Sequence, residues 1–401
     1  MRLAIITPGF QPVPATKGGA IEQLITYIIK ANEKSHDFDI DLYTVYDKKI
    51  ENYNYKYTKI LSYKKTWYDF PLRVFSLFFR TVGKVFHKET SFNYISFHMG
   101  RLYKKNYYDV VLVENNMDIY ATILKKITRE KLYFHLHNDF DNGDFAKTKY
   151  KTKKIIETSN GIITVSQFLK DKLKNYGAKK VAVVYNFVPN RFSGSLSKEQ
   201  RLKIRHKFNF KDNDIIFTYI GRLDRDKGAD RLLEAFKEIR KNDDTIKGLV
   251  VGDAFFHTKV EQKHFEKITE LKANLKNRVK FIGYVPNQEL TDLYSISDCI
   301  VIPSQVEEAF GLVALEAMKM GKPVIASNSG ALPEVLAKDG SIIVNKESNF
   351  VHNLASSIEI LSKNIQLREK MGISNFNKSK TFPQNEFEYF SLIKKAMSIN
   401  N

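Results

Sequence analysis

Short apolar runs alternate with segments of helical periodicity along most of the chain. The runs in the first half are RLAIIT, DVVLVE, KLYFHLH, GIITVS and VAVVYN; those in the second half are IIFTYIG, GLVVGD, RVKFIG, CIVIP, PVIAS and SIIV. Strands that are apolar on both faces and separated by helices are typical of parallel sheets. These eleven runs therefore predict an α/β chain with two doubly wound domains.

The boundary between the two strand series falls in NFVPNRFSGSLSKEQ, where Pro, Gly and Ser are concentrated. We expect an N-terminal domain over residues 1–190 and a C-terminal domain over residues 191–382. The last segment, residues 383–401, is expected to be a helix that can pack back on the first domain. A chain of 401 residues is long enough to give each domain its own core.

The composition excludes several classes of protein. The single cysteine, Cys299, rules out a disulfide framework and fits a reducing compartment, so we expect a cytoplasmic protein. No apolar run reaches the roughly 18 residues of a membrane span, and the opening MRLAIITPGF is interpreted as a first strand, not as a signal peptide. The net charge of +19 predicts an acidic partner: nucleic acid, anionic lipid or a phosphorylated small molecule.

A basic loop follows one predicted strand in YIGRLDRDKGADRLLEAF. The strand ends at Gly221 and a helix begins near Ala229, so Arg222 and Lys227 lie where a doubly wound sheet binds its ligands. Two cations beside a helix N-terminus suit a diphosphate, although a solvated basic loop remains the alternative. A metal site at the DRD of this loop is disfavoured, because basic residues flank it.

Two glutamates stand eight residues apart in VEEAFGLVALEAM. On one helix, Glu308 and Glu316 would be about 12 Å apart along the axis, which suits two contacts on an elongated ligand better than one catalytic pair. A carboxylate in an apolar helix needs a partner, such as ligand hydroxyls or a basic side chain. The alternatives are a first-turn acid favoured by the helix dipole for Glu308 and a structural ion pair for Glu316.

The first domain carries two further candidates. Gly18 and Gly19 precede a helix and would let a phosphate or sugar approach the backbone, unless they form an ordinary loop. His135 and His137 alternate on one strand and would point to the same side, as metal ligands or as one core and one active-site histidine. Asn138 and Asp139 follow that strand, and we expect them at the mouth of a cleft in which the ligand binds.

The motifs GRLDRDKG, PSQVEEAFGLVALEAMKMGKPVIASNSGALPEV and VVYNFVP resemble the large retaining glycosyltransferase family whose signature is two glutamates with seven residues between them. The resemblance is strong over Tyr219–Val335, moderate over residues 1–30 and 130–190, and absent over about 48–106. It implies the GT-B fold, two Rossmann-like domains facing across a cleft, with residues 48–106 as a basic aromatic insert.

The resemblance also implies roles for individual residues. Arg222 and Lys227 would bind the donor diphosphate, Glu308 the donor sugar and Glu316 the ribose, while His137 would lie near the sugar. The implied catalytic set is thus Glu308, His137, Arg222 and Lys227. The other implied donor contacts are Gly18, Gly19, the backbone of Phe310, Gly311 and Leu312, and, near the base, Gly252 and Tyr284.

We therefore predict a retaining hexosyltransferase that uses a nucleotide sugar, UDP-linked by default, and needs neither cofactor nor metal. The expected acceptor is a lipid-linked or cell-surface polysaccharide at the cytoplasmic face of the membrane. One alternative keeps the enzyme but makes diacylglycerol or a protein the acceptor. A second alternative, of another class, is a basic nucleic-acid-binding protein, which the charge alone suggests but no reader motif supports, so no nucleic-acid partner is expected.

A basic aromatic stretch is predicted to contact an anionic membrane. DFPLRVFSLFFRTVGKVFH reads as a helix with an apolar and a basic side, typical of an interfacial helix. The alternative is a helix that packs its apolar side on the first sheet and leaves its basic side exposed to solvent. The residues expected to meet the lipid are Arg73, Phe75, Phe79, Arg80 and Lys84.

Overall fold

A computed structural model describes residues 1–64, 67, 69–71, 74, 93–140, 145–192, 196–239, 244–253 and 259–398. Five residues predicted to contact a membrane lie outside this part of the chain: Arg73, Phe75, Phe79, Arg80 and Lys84. Within it, no helix combines the length and the apolar character that crossing a membrane requires.

The described residues form thirteen strands and fourteen α-helices. The strands are β1 (Arg2–Ile6), β2 (Asp39–Val45), β3 (Thr58–Tyr63), β4 (Val110–Glu114), β5 (Lys131–Leu136), β6 (Gly161–Thr164), β7 (Val181–Val183), β8 (Ile215–Ile220), β9 (Ile246–Val251), β10 (Val279–Gly283), β11 (Cys299–Ile302), β12 (Val324–Ser327) and β13 (Ser341–Val344). The helices are α1 (Ala20–Ser35), α2 (Tyr94–Leu102), α3 (Met117–Leu124), α4 (Phe145–Thr158), α5 (Gln167–Asn175), α6 (Lys198–Lys207), α7 (Ala229–Glu238), α8 (Lys259–Leu275), α9 (Leu290–Ile296), α10 (Leu312–Lys319), α11 (Leu332–Val335), α12 (Phe350–Lys363), α13 (Ile365–Ser379) and α14 (Glu386–Ser398).

Two parallel sheets result. The first has the order β3-β2-β1-β4-β5-β6-β7 and the second the order β10-β9-β8-β11-β12-β13. In both, the strand order reverses between the first strand of the series and the fourth, as in Rossmann-like domains. The predicted fold class, α/β with two doubly wound domains, is therefore confirmed, and the reversal marks the carboxyl edge of each sheet as the place where ligands bind.

The eleven predicted strands are all present, but two more were missed. β2 contains Asp41, whose buried carboxylate accepts hydrogen bonds from Lys104 Nζ at 2.6 Å and from the Tyr108 hydroxyl at 2.7 Å. β3 is the edge strand of its sheet and carries Lys59 and Ser62, which interrupt an apolar run. Part of the segment 48–106 predicted as an insert is thus a regular strand of the first sheet, and the prediction is corrected there.

The chain divides into two compact units, residues 1–186 with 385–401 and residues 187–384. The last helix, α14, belongs to the first unit, where it packs against α1. Tyr389 and Ile393 on this helix are fully buried, and the Lys394 ammonium lies 2.7 Å from the Asp37 carboxylate. Apolar packing therefore attaches the chain terminus to the first unit, with an ion pair at its edge.

Candidate functional site

Three loops meet at the carboxyl edge of the second sheet. They follow β8, β11 and β12. The strand order reverses between β8 and β11, and β12 is the next strand in the sheet. The Gln305 amide donates to the Asp226 carbonyl at 2.8 Å, and the Ala331 amide donates to the Glu308 carbonyl at 2.8 Å. The Gly330 amide also donates to the Glu307 carboxylate. Backbone hydrogen bonds thus hold the basic loop, the loop of Glu308 and the loop of Gly330 together.

Lys227 and Glu308 form an ion pair inside this group of loops. The Lys227 ammonium lies 2.7 Å from Glu308 Oε1, and their side chains are 30 % and 13 % exposed. The Ser304 hydroxyl donates to the same carboxylate oxygen. A cation and a carboxylate that are both partly exposed at a ligand-binding edge can contact the diphosphate and the hydroxyls of one ligand.

Arg222 stands at the open side of the same loop. Its side chain is 59 % exposed, and its guanidinium lies 3.0 Å from the Asp224 carboxylate. Asp224 also accepts from the Lys227 amide at 3.1 Å, and burial raises the pKa of this carboxyl. Asp224 therefore shapes the loop from within, while the Arg222 side chain can reach an incoming anion.

Glycines allow the backbone segments of this edge to approach closely. Gly252 has a φ of 135°, and its amide donates to the Gly283 carbonyl at 2.8 Å. A Cβ atom at Gly252 would lie 1.8 Å from the Gly221 carbonyl oxygen. Tyr284, which follows Gly283 in the sequence, is 67 % exposed. The two residues predicted near the base are therefore at the same sheet edge. Gly252 offers only its backbone there, and Tyr284 offers an exposed aromatic ring.

Gly330→Ala is expected to lower the free energy of unfolding by about 3 kcal/mol, because a left-handed residue and a backbone clash add their costs. Gly330 has a φ of 52°. A Cβ at this residue would lie 2.2 Å from the backbone carbonyl oxygen of Glu308 and 2.7 Å from the backbone nitrogen of Glu308. The control is Gly177→Ala, where φ is 88° but no atom lies within 4 Å, so only about 1 kcal/mol should be lost. Urea unfolding measures both; equal losses would contradict the clash.

The helix that follows Glu308 begins at Leu312. Gly311 precedes it with a φ of 92°, and no side chain caps this end of α10. The Phe310 ring is buried against Phe382, with ring centroids 5.9 Å apart. Of the three residues predicted to face the ligand, Phe310 can therefore do so only through its backbone, whereas Gly311 and Leu312 form the uncapped helix end.

Glu316 is buried on α10, with 7 % of its surface exposed. The Tyr294 hydroxyl donates to its Oε2 at 2.6 Å, and the side chains of Asn287 and Arg191 lie near enough to lower its pKa. Burial outweighs these partners and raises the pKa of Glu316 to about 7. The carboxylate is thus held in place by a tyrosine and retains a marked preference for a further hydrogen-bond donor.

In the first unit, His135 and His137 share one buried carboxylate. Glu114 ends β4, directly opposite His135 on β5. Its Oε2 lies 3.0 Å from His135 Nδ1 and 2.8 Å from His137 Nε2. Although burial opposes ionisation, the two histidines lower the pKa of Glu114 to about 2, and burial lowers the pKa of His137 to about 4. At neutral pH the group is a carboxylate with a neutral His137 ring.

These three side chains offer ligand atoms within 4.8 Å of one another, the spacing of a three-ligand metal site. The short distances from Glu114 Oε2 to the two histidine nitrogens are those of two hydrogen bonds, so no bound ion is needed to explain them. Metal-bound histidines usually donate their second ring nitrogen to a partner. Among the described residues, His135 Nε2 and His137 Nδ1 have no such partner. The fit to a metal is incomplete, and no chemical step is assigned to one.

The remaining predicted residues of the first unit lie near the carboxyl edge of its sheet. Gly18 and Gly19 have φ values of 81° and 92°, and a Cβ at Gly18 would meet nothing within 4 Å. Asn138 is exposed. The Asp139 carboxylate is only 1 % exposed and lies 2.7 Å from Lys172 Nζ. Asp139 therefore serves this ion pair, and of the two predicted residues Asn138 is the one that is exposed.

Glu114 and Tyr294 are two important contacts of these sites that the sequence pattern did not predict. Glu114 ends an apolar strand, and a charged residue at the carboxyl end of a buried parallel strand was the available signal. Tyr294 lies in the helical segment LTDLYSI, where nothing in the pattern marks its hydroxyl as a partner of a distant carboxylate. Its contact with Glu316 depends on the packing of two helices, which the sequence does not encode locally.

Two family models match the chain. Residues 200–378 match the model described as Glycosyl transferases group 1, and residues 67–191 match the model described as Glycosyltransferase Family 4. The first match contains the basic loop and both glutamates, and the second contains Glu114 and the two histidines. The site at the second sheet and the Glu114 group of the first sheet therefore lie within matched segments, whereas Gly18 and Gly19 lie outside both matches.

Several known proteins are similar. The chain is 32 % identical to the Salmonella typhimurium lipopolysaccharide 1,2-N-acetylglucosaminetransferase over 56 % of each chain, and 24 % identical to Bacillus subtilis spore coat protein SA over 93 % of each. It aligns with about half the length of the first two curated relatives, 56 % and 44 %. The crystal structure of Anabaena HepE in complex with UDP-glucose matches with a TM-score of 0.75, 18 % identity and full coverage of both chains. The chain has the GT-B fold, and the family models that it matches are those of glycosyltransferases.

Proposed function

We propose that this protein is a retaining glycosyltransferase that moves a hexose from a nucleotide sugar, with UDP as the first nucleotide to test. The proposed acceptor is a lipid-linked or cell-surface polysaccharide at the cytoplasmic face of the membrane. The observation that carries the proposal is the Lys227–Glu308 pair, 2.7 Å apart, inside three joined loops at the carboxyl edge of the second sheet. Such an edge is where doubly wound domains bind nucleotides.

Each side chain at this edge has a role that suits one end of a nucleotide sugar. Arg222 and Lys227 bind the diphosphate, assisted by the uncapped start of α10. Glu308 accepts hydrogen bonds from hydroxyls of the sugar, and Glu316 accepts them from the ribose. Tyr284 provides an exposed ring for the base beside the bare backbone of Gly252.

In the proposed reaction the bond between the anomeric carbon and the diphosphate oxygen breaks, and its electron pair stays on the diphosphate. The acceptor hydroxyl forms the new bond on the same face, and its proton passes to a phosphate oxygen of the leaving group. Arg222, Lys227 and the helix amides stabilise the negative charge that develops on the diphosphate. These groups supply the positive charge of the site, so the proposal requires no metal ion.

Relatives support the choice of donor and acceptor. HepE has been crystallised in complex with UDP-glucose, and a curated relative is a lipopolysaccharide 1,2-N-acetylglucosaminetransferase. Both facts concern those proteins. They make UDP-glucose and UDP-N-acetylglucosamine the first donors to test here, and lipid-linked saccharides the first acceptors.

A panel of nucleotide sugars, followed by mass spectrometry of the products, tests the proposal. We expect hydrolysis or transfer with at least one donor, and binding of the matching nucleoside diphosphate in calorimetry. A second panel of acceptors separates lipid-linked saccharides from diacylglycerol and protein. Binding of nucleic acid without binding of any nucleoside diphosphate would contradict the proposal and favour the other class of protein.

A further inference from the structure

A cavity of about 300 Å³ lies at the amino edge of the second sheet, opposite the edge that carries the three loops of the candidate site. Asp298 and Pro323 line this cavity and directly precede β11 and β12, whose carboxyl ends carry two of those loops. The other lining residues include members of α6, the end of α9 and the start of α13. All of the lining residues belong to the second unit.

Positive charge exceeds negative charge in the wall of this cavity. The cations are those of Arg201, Lys322 and Arg368, and the carboxylates are those of Asp298 and Glu369. Arg205, which is only 3 % exposed, adds a fourth cation because it pairs with Asp298. Glu369 is exposed, so water and salt screen its charge more than they screen the charges below it.

The Asp298 carboxylate is already engaged by three donors. Its Oδ1 accepts from Arg201 Nη2 at 2.6 Å. Its Oδ2 accepts from Arg205 Nη2 at 2.5 Å and from the Ile216 amide at 2.8 Å. One negative charge is therefore shared by two guanidinium groups, and it leaves the charge of Lys322 unbalanced.

Lys322 has only backbone carbonyls as acceptors among the described residues. Its ammonium donates to the carbonyl oxygens of Ser295 and Ser297, at the end of α9, at 3.0 and 2.9 Å. Carbonyls at a helix end carry only partial negative charge. Burial lowers the pKa of Lys322 to about 8, and repulsion by Arg201 and Arg205 contributes. An ammonium has three hydrogens, so one remains for a further acceptor.

The two guanidinium groups of the cavity wall also have N–H groups to spare. Arg201 donates through Nε to the Ser295 carbonyl at 3.1 Å and through Nη2 to Asp298, whereas its Nη1 has no acceptor in the described part of the chain. Arg368 donates through Nη1 to the carbonyls of Leu361 and Ser362, and its Nη2 has no acceptor there. The planar fork of a guanidinium matches the oxygen atoms of a phosphate.

We propose that this cavity binds a phosphate group through Lys322, Arg201 and Arg368, at a site separate from the donor site. A phosphate group brings about two negative charges and three strong acceptor oxygens, which offset the surplus of positive charge and fill the spare donors. Inorganic phosphate and a phosphate monoester share this chemistry. The cavity is at the small end of ligand pockets, which suits a small anion.

Titration calorimetry with inorganic phosphate at about pH 7 tests the site, because Lys322 is then mostly charged. The protein is Lys227→Met, in which the proposed donor site has lost a cation, and sodium chloride keeps the ionic strength constant. We expect saturable binding of one phosphate per chain. Lys322→Met, added to this background, should weaken binding on the order of 10-fold, because it removes a charged hydrogen bond.

Glu369→Gln tests the same site without changing a buried side chain. Glu369 is exposed and lines the cavity, so the loss of its negative charge should tighten phosphate binding by about 2-fold to 4-fold. The matched control is Glu270→Gln. Glu270 is exposed on α8, outside the cavity, so this variant loses the same charge and should keep the affinity of its parent.

A second titration, with glycerol 3-phosphate, distinguishes the two sources of the phosphate group. Tighter binding than that of inorganic phosphate identifies a monoester as the ligand, and equal or weaker binding identifies the free ion; both results support the site. The proposal is overturned if neither compound binds, or if neither Lys322→Met nor Glu369→Gln changes the affinity. Sugar transfer is measured separately with the wild type, so the proposed function and this site can fail independently.

Discussion

Glu308→Gln is expected to lower kcat for sugar transfer on the order of 100-fold to 1,000-fold. The carboxylate accepts hydrogen bonds from sugar hydroxyls in the proposed complex, and the positive charge that develops on the sugar strengthens them. An amide has one acceptor oxygen and no charge, so it stabilises that state less. Steady-state kinetics with the donor identified in the screen measures the change.

The same substitution should leave the nucleoside diphosphate bound as tightly as before, or more tightly. Lys227 is 2.7 Å from Glu308 in the free protein, and the substitution releases it to the diphosphate. The loss of this partly buried pair should lower the free energy of unfolding by only about 1 kcal/mol. A fall in nucleoside diphosphate affinity parallel to kcat would contradict the assignment of Glu308 to the sugar.

Glu234→Gln is the matched control for this experiment. Glu234 lies 2.8 Å from the Lys267 ammonium and 3.1 Å from the Arg231 guanidinium, and its side chain is 26 % exposed, against 13 % for Glu308. It lies on α7, outside the three loops. Its substitution removes the same charge from the same unit and breaks two ion pairs, with Lys267 and Arg231, instead of one. We expect kcat to remain within about 2-fold of the wild type.

Glu316→Gln is expected to raise the free energy of unfolding at pH 8 by about 3 kcal/mol in the absence of donor. Burial raises the pKa of Glu316 from 4.5 to about 7, so the folded protein binds a proton more tightly here than the unfolded chain does. Stability from this group is fully present below pH 4.5 and is lost as the pH rises to 7. Glutamine is neutral throughout and still accepts from Tyr294, so it avoids that loss.

The gain should therefore depend on pH. At pH 4 the Glu316 carboxyl of the wild type is mostly protonated in both the folded protein and the unfolded chain, so the variant and the wild type should have nearly the same free energy of unfolding. Guanidinium unfolding at the two pH values measures the difference, with the exposed Glu347→Gln as a control that should show no gain. Donor affinity should fall in Glu316→Gln at pH 8 on the order of 10-fold, because an ionised carboxylate accepts from ribose hydroxyls more strongly than an amide does. An equal gain in the free energy of unfolding at pH 4 would show that the ionisation of buried Glu316 is not the cause of the gain.

The buried strands of this protein could be predicted because their apolar pattern is local. β8 and β11 are continuous apolar runs, and the loops after them were expected at one edge because parallel strands end together. β2 was missed because Asp41 interrupts its pattern. The partners that make this carboxylate acceptable, Lys104 and Tyr108, are more than 60 positions away.

The contacts inside the sites could be predicted only in part. The need of Glu316 for a partner follows from its apolar surroundings, but the identity of Tyr294 follows from the packing of α9 against α10. The shared contact of His135 and His137 with Glu114 requires the register of β4 and β5, which a single sequence does not give. Local pattern therefore predicted which side chains matter, and strand register determined what they touch.

The position of α14 in the first unit has a consequence for how this protein can be divided or recombined. Because residues 385–401 complete a unit whose other part ends at residue 186, that unit is not a continuous piece of the gene. A fragment ending at residue 186 would expose the surface that Tyr389, Phe390 and Ile393 cover. Hybrid enzymes that combine the first unit with the second unit of a relative therefore need two crossover points, one near each junction, with the terminal helix kept from the parent of the first unit.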